Sequence, residues 1–171
     1  MRQKTLWITQ TAALLALLII LQLATRSAGQ LVTGSCVNAV LALIAGLSSS
    51  LTVAVLSPFL AFALGVGPKL LPIVPAIAVG NAALAALICL FARKNLSPAR
   101  RAAATVVAAA GKFALLYLLV VQLLCRVLTL NEKQIAAFSA MFSWPQLVTA
   151  LIGAAVAMCV APVIQKALGR E

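Results

Sequence analysis

The chain has 171 residues, of which 64% are hydrophobic, and a mean hydropathy of +1.16. A soluble domain is about 45–50% apolar, so this is the composition of an integral membrane protein. The net charge of +11 comes from 13 Lys and Arg against only Glu132 and Glu171, and there is no histidine. These counts argue against His-based triads, paired-carboxylate hydrolysis and carboxylate-rich metal sites.

Six apolar segments follow one another. The first, about residues 6–24, has no small-residue cleavage site after a short apolar core, so it reads as a lasting helix and not a removed signal. It carries Ala12 and Ala16 at i, i+4, with Thr5 and Thr9 extending the same small face, the pattern of a helix-packing surface. The second, about 31–47, carries Asn38 and breaks at Ser48–Ser50. The third, about 51–64, contains Pro58 and ends at the turn "GVGPK". A helix of about 14 residues rises about 21 Å, less than the roughly 30 Å hydrocarbon core. Short, proline-interrupted segments suit the border of protein or of a water-filled cavity.

The fourth segment, about 72–92, has Pro72 and Pro75 near its start, where a missing N–H is tolerated, and carries Asn81. The fifth, about 102–128, includes "VVAAAGKFALLYLLV", with Lys112 at its centre and Tyr117 beyond it. The stretch from Thr129 to Ser143 is too polar to span. Its T-x-x-E start at Thr129 and Glu132, followed by Ile135, Phe138 and Met141, predicts a connecting helix over about 131–142 on the outer surface. The sixth segment, about 144–168, opens with Trp144, Pro145 and Gln146. The expectation is one all-α membrane domain over residues 1–171, a bundle of six spanning helices.

If the N-terminus is cytoplasmic, the inner side carries Arg2, Lys4, Arg93, Lys94, Arg100, Arg101, Lys166 and Arg170, and the outer side Arg26, Lys69, Arg126 and Lys133. Eight against four places both termini inside. Trp7 and Trp144 then fall near opposite interfaces, as belt residues do. Cationic loops of this kind account for the net charge, and no basic face on a water-exposed helix suggests nucleic acid. No G-x-x-x-x-G-K-[ST] motif provides an ATP site, and the lone G-x-G at Gly65 and Gly67 follows no strand. Cys36, Cys89, Cys125 and Cys159 lie in apolar stretches without C-x-x-C spacing and read as packing residues.

The polar residues inside the apolar segments carry the functional reading. Lys112 and Asn81 each lie about ten residues into their segments, close to the bilayer mid-plane at about 1.5 Å per residue. Asn38 and Gln146 sit nearer the outer face. Small residues flank each: Gly34, Ser35 and Ala42 around Asn38, Ala78 and Ala85 around Asn81, Ala108 and Ala109 beside Lys112, and Thr149, Ala150 and Gly153 below Gln146. A lysine at the bilayer centre costs roughly 2.5–3.5 kcal/mol and usually faces a cavity or a partner. With no acid in the spanning segments, its partners reduce to backbone carbonyls with Asn81, an acid of another subunit, or an anionic ligand. Trp144, Phe142 and Tyr117 would offer apolar or stacking contact to such a ligand.

The six-helix pattern, Ala12-x-x-x-Ala16, and the stretches "LSPFLAFALGVGPKLLPIVPAIAVGN", "GKFALLYLLV" and "FSWPQLVTALIGAAVA" resemble the substrate-binding (S) components of energy-coupling factor vitamin transporters. The resemblance covers nearly the whole chain. It implies a bacterial plasma-membrane protein that binds a micronutrient tightly from outside, with no cofactor of its own. It would dock through Ala12 and Ala16 on a transmembrane coupling subunit, and ATP would be used only by two partner ATPase subunits. The outer halves of helices four to six and the loop after helix one would form the pocket, although that loop, about 25–30, is short for a lid. Two other classes compete: a stand-alone oligomeric channel or facilitator, and an intramembrane enzyme pairing Lys112 with Ser57 or Ser143.

Overall fold

The structure is a computed structural model, and it describes residues 2–25, 28–66, 70–91 and 96–167. Arg26, Lys69, Arg93, Lys94, Arg170 and Glu171, and part of the loop after the first helix, lie outside the described residues. Among the described residues the elements are helical throughout: α1 (Arg2–Ala24), α2 (Ala28–Ile44), α3 (Leu47–Ala63), a 3₁₀ turn (Leu71–Ile73) leading into α4 (Val74–Phe91), α5 (Pro98–Leu116), a π-helical stretch (Tyr117–Leu124), α6 (Cys125–Val127), α7 (Glu132–Met141) and α8 (Trp144–Ala167). Four stretches are long and apolar enough to cross a bilayer: Trp7–Ala24, Leu71–Phe91, Ala99–Val127 and Glu132–Ala167. Gly34–Ile44 and Leu47–Ala63 are shorter apolar helices. The chain is an all-α membrane protein.

The starts of α3 and α5 and the cap of α7 differ from the sequence expectation, each for a local reason. Ser48–Ser50 do not break the chain; the break is Gly46, whose φ of +82° is left-handed backbone that glycine adopts without a steric penalty. The serines form the first turn of α3 instead. Ser50 Oγ donates back to the Gly46 and Leu47 carbonyls, at 2.6 and 3.1 Å. Ser48 and Ser49 receive α1, Trp7 Nε1 donating to Ser48 Oγ at 3.1 Å and Thr11 Oγ1 to Ser49 Oγ at 3.1 Å. The third helix is therefore 17 residues long, not about 14, and rises about 25 Å. Its argument for a cavity weakens accordingly.

Helix α5 begins four residues before the expected start, because Ser97 caps it and Pro98 occupies its first turn. The connecting helix α7 carries a reciprocal cap at different residues from those expected. Asn131 Oδ1 accepts from the Gln134 N–H at 2.8 Å, while Gln134 Oε1 accepts from the Asn131 N–H at 3.1 Å. Thr129 and Glu132 play no part in that box.

Close approaches fix the packing. A Cβ on Gly80 would meet Leu116 at 2.6 Å and one on Gly111 would meet Leu87 at 2.8 Å, so α4 and α5 run antiparallel in tight contact. A Cβ on Gly153 would fall 2.7 Å from the Cys36 backbone nitrogen, so α8 touches the backbone of α2. Further along, Gln165 Nε2 donates to the Leu43 carbonyl at 2.8 Å and Cys89 Sγ to the Ala42 carbonyl at 3.2 Å. Helices α2, α4 and α8 thus run parallel, their ends together with the starts of α1 and α3.

The inner core is built largely from small residues, with Ala39, Ala42, Ala54, Ala85, Ala108 and Ala157 around Leu84 and Ile88. A bulkier cluster of Ile73, Leu116, Val120 and Phe142 closes the end under α7. Helices dissolved in lipid gain nothing from burying apolar surface against one another, so close backbone approach through small residues supplies the packing. Leu18 and Ile19 bind α1 to its neighbours, while Ile8, Leu17, Ile20 and Leu23 face outward.

Candidate functional site

Lys112 is 3% exposed, the sole charged side chain among the buried described residues. Alanine at 108 and 109 on its own helix and glycine at 111 let neighbouring helices close around it. Its Nζ donates to Ser35 Oγ on α2 at 3.0 Å, its only hydrogen bond to a described residue. Glu132, the one acid among the described residues, is exposed on α7. The ammonium is therefore buried with a single neutral hydroxyl, and two of its three N–H donors have no described partner.

Asn81 was expected as the lysine's neighbour, and no hydrogen bond joins them. The α4–α5 register, with Gly80 against Leu116 and Gly111 against Leu87, sets Lys112 level with Leu84 to Ala86. Asn81 thus lies roughly one turn, about 5 Å, along the axis. It is buried at 6% exposure. Likewise, Lys112 pairs with Ser35, and neither Ser57 nor Ser143 is its partner. Ser57 is buried elsewhere on α3, and Ser143 Oγ donates to the Ser139 carbonyl at 2.6 Å.

Asn38 is fully buried on the same helix as Ser35, three residues on. Its Nδ2 donates to the Gly34 carbonyl at 2.8 Å, which turns the side chain back toward the level of Ser35. Its Oδ1 is buried and accepts no hydrogen bond from a described residue. Gln146 is buried at the start of α8. Trp144, in contrast, is 73% exposed and stacks on Phe113, with ring centroids 6.5 Å apart; Phe113 in turn lies 6.1 Å from Tyr117. These three rings form a ladder between α5 and the start of α8. Ala12 and Ala16 are exposed on the outward face of α1.

Two groups escaped the sequence reading as site residues. Ser35 reads in the sequence only as a small neighbour of Asn38, although its position i−3 from a buried amide is a usable signal. Gln22, an isolated amide in the apolar run of the first helix, was another. Its Oε1 is buried without a described partner, and its Nε2 lies 3.1 Å from where a Gly34 Cβ would stand. Beyond Tyr117, Gln122 Nε2 donates to Tyr117 Oη at 3.2 Å and Arg126 Nη2 to Gln122 Oε1 at 2.7 Å. The Tyr117–Gln122 spacing of five faces one side only because this stretch is π-helical.

Two apolar grooves open elsewhere. One of about 530 Å³ lies between α3 and α4, lined by Leu51, Val55, Phe59, Pro75, Ala82 and Ala86 among others. The other, about 240 Å³, is bordered by Pro72, Ala76, Leu119 and Leu123. None of the buried polar residues lines either. Comparison with known proteins finds no matching family model, curated protein or solved structure, so the reading of the site rests on its own chemistry.

Proposed function

We propose that the chain is the solute-binding (S) subunit of an energy-coupling factor importer, a six-span protein of the bacterial plasma membrane with both termini cytoplasmic. It binds a vitamin or vitamin precursor with an acidic group and delivers it by docking on a transmembrane coupling subunit served by two ATPases. One observation carries the binding half of this reading: a buried ammonium whose described partner is a neutral hydroxyl on α2, with a buried amide oxygen that has no described donor about one turn along the same helix. Buried polar groups are nearly always satisfied, and an arrangement that leaves donors and an acceptor unmet suits a ligand that completes it. Asn81 on α4 and Gln146 on α8, both buried, would add contacts, and Trp144 and Tyr117 would meet the solute through the ring ladder with Phe113.

The transport half draws on the sequence. No ATP motif is present, so active uptake requires partners, and the outward-facing Ala12 and Ala16 on α1 offer a small-residue surface on which another helix can close. Neither catalysis nor nucleic acid enters this reading, and it needs no metal or cofactor. Fluorophosphonate probes are expected to leave Ser35, Ser57 and Ser143 unlabelled.

The test is reconstitution in liposomes. The chain alone should bind its solute tightly and pass almost none; addition of a coupling subunit and two ATPases should give ATP-dependent uptake. Rapid solute flux through the chain alone would overturn this reading in favour of a channel or facilitator. Replacing Ala12 and Ala16 by Leu should abolish uptake while leaving solute binding unchanged.

A further inference from the structure

We infer that the ligand of the Lys112 site is a small monocarboxylate that also carries an N–H or O–H donor, and that phosphate-bearing solutes are rejected. This rests on the solute-binding reading above and narrows it to a chemical class. The first support is charge. Lys112 is the only charged side chain among the buried described residues, and Glu132, the one described acid, is exposed. One ammonium in a low-dielectric interior is neutralised by one negative charge. A phosphate monoester, at about −1.5 to −2 near neutral pH, would leave buried negative charge without a counterpart, which such interiors disfavour.

The donor geometry points the same way. Ser35 Oγ accepts from Lys112 at 3.0 Å, so its own proton is free to be donated. Two lysine N–H groups and one serine O–H, presented from α5 and α2, match the two oxygens of a carboxylate.

The second support is the opposite need nearby. Asn38 has committed its Nδ2 to the Gly34 carbonyl, which identifies the remaining atom as the acceptor Oδ1, and that oxygen is buried without a donor. A solute that only accepts hydrogen bonds, such as an inorganic anion or a fatty acid, would satisfy the lysine and leave the Asn38 oxygen unmet. An amino-acid-like or ureido-acid-like molecule, anionic at one end and donating at the other, satisfies both sides.

The experiment uses the full chain in lipid nanodiscs. It is incubated with a deproteinised bacterial extract, washed and unfolded, and the released small molecules are identified by mass spectrometry. The retained compound and its carboxamide are then titrated by calorimetry. The expected compound has one carboxylate, no phosphate and at least one N–H or O–H donor, and its carboxamide binds at least 100-fold more weakly. Lys112→Gln should lose a similar factor for the acid while changing little for the carboxamide. Asn38→Asp, which supplies an internal carboxylate one turn from Ser35, should fold as the wild type does and exclude the ligand. If Lys112→Gln does not fold, the comparison of acid and carboxamide on the wild type decides alone. A retained compound that is phosphorylated, neutral or cationic, or equal binding of acid and carboxamide, overturns this inference and leaves the binding reading standing. Retention of nothing overturns both.

Discussion

At Lys112 a single side chain sets stability against function. The energetic cost of a mid-bilayer lysine is roughly 2.5–3.5 kcal/mol, and one hydrogen bond to a neutral hydroxyl recovers only about 1.5–3 of it. Lys112→Met, which keeps the volume and removes the charge, is therefore expected to raise the stability of the solute-free protein by up to about 2 kcal/mol. The same change should abolish solute binding. Thermal unfolding in mild detergent checks the first effect and calorimetry the second; a loss of stability would mean that the amine holds the helices together. Two glycines give a contrasting pair. Gly153→Ala drives a Cβ to 2.7 Å from the backbone of α2, and overpacking of this kind costs about 1–3 kcal/mol. It should also displace Ser35 and weaken binding. Gly65→Ala meets no neighbour but must keep a φ of +73°, a left-handed conformation costing about 1–2 kcal/mol. It should lower the melting temperature and leave binding intact.

Among the elements, α7 depends most on its cap, since it is only 10 residues long and buries none of them fully. Asn131→Ala removes one arm of the reciprocal cap and is expected to cost about 1 kcal/mol, read as faster amide hydrogen exchange confined to α7. Unchanged exchange would mean that packing against Phe142 and its neighbours holds the helix without the cap. The existence and order of the helices were legible in the sequence because long apolar runs and polar interruptions announce themselves. The finer boundaries were not. Ser48–Ser50 looked like a break because serine favours turns, yet each found a partner within the membrane helices, and the glycine before them makes the turn. The site was legible only in part. Lys112, Asn38 and Asn81 stood out as polar residues in apolar runs, but which ones meet depends on helix register. Register here is set by Gly80, Gly111 and Gly153, three of nine glycines in the chain, and composition does not distinguish them. The π-helical stretch that aligns Tyr117 with Gln122 has no sequence signal of its own.

For the whole molecule, the asymmetry of lysine and arginine predicts an orientation, and the packing supplies positions to test it. In a chain whose four cysteines are replaced by alanine or serine, a cysteine at Ser97 should react with a membrane-impermeant maleimide only after the cells are opened. One at Asn131 should react in intact cells. The reverse pattern would invert the topology and place the ring ladder of Trp144, Phe113 and Tyr117 toward the cytoplasm. The contact of Gly153 with the chain at Ser35 and Cys36 also bears on how this protein could diversify. The hydroxyl that receives the lysine is anchored to a seam where two backbones meet, so it has no slack to follow a solute of another shape. Under the proposed function, relatives that take different solutes should therefore retain the glycine and the serine as a fixed footing, and vary instead at positions 81 and 146.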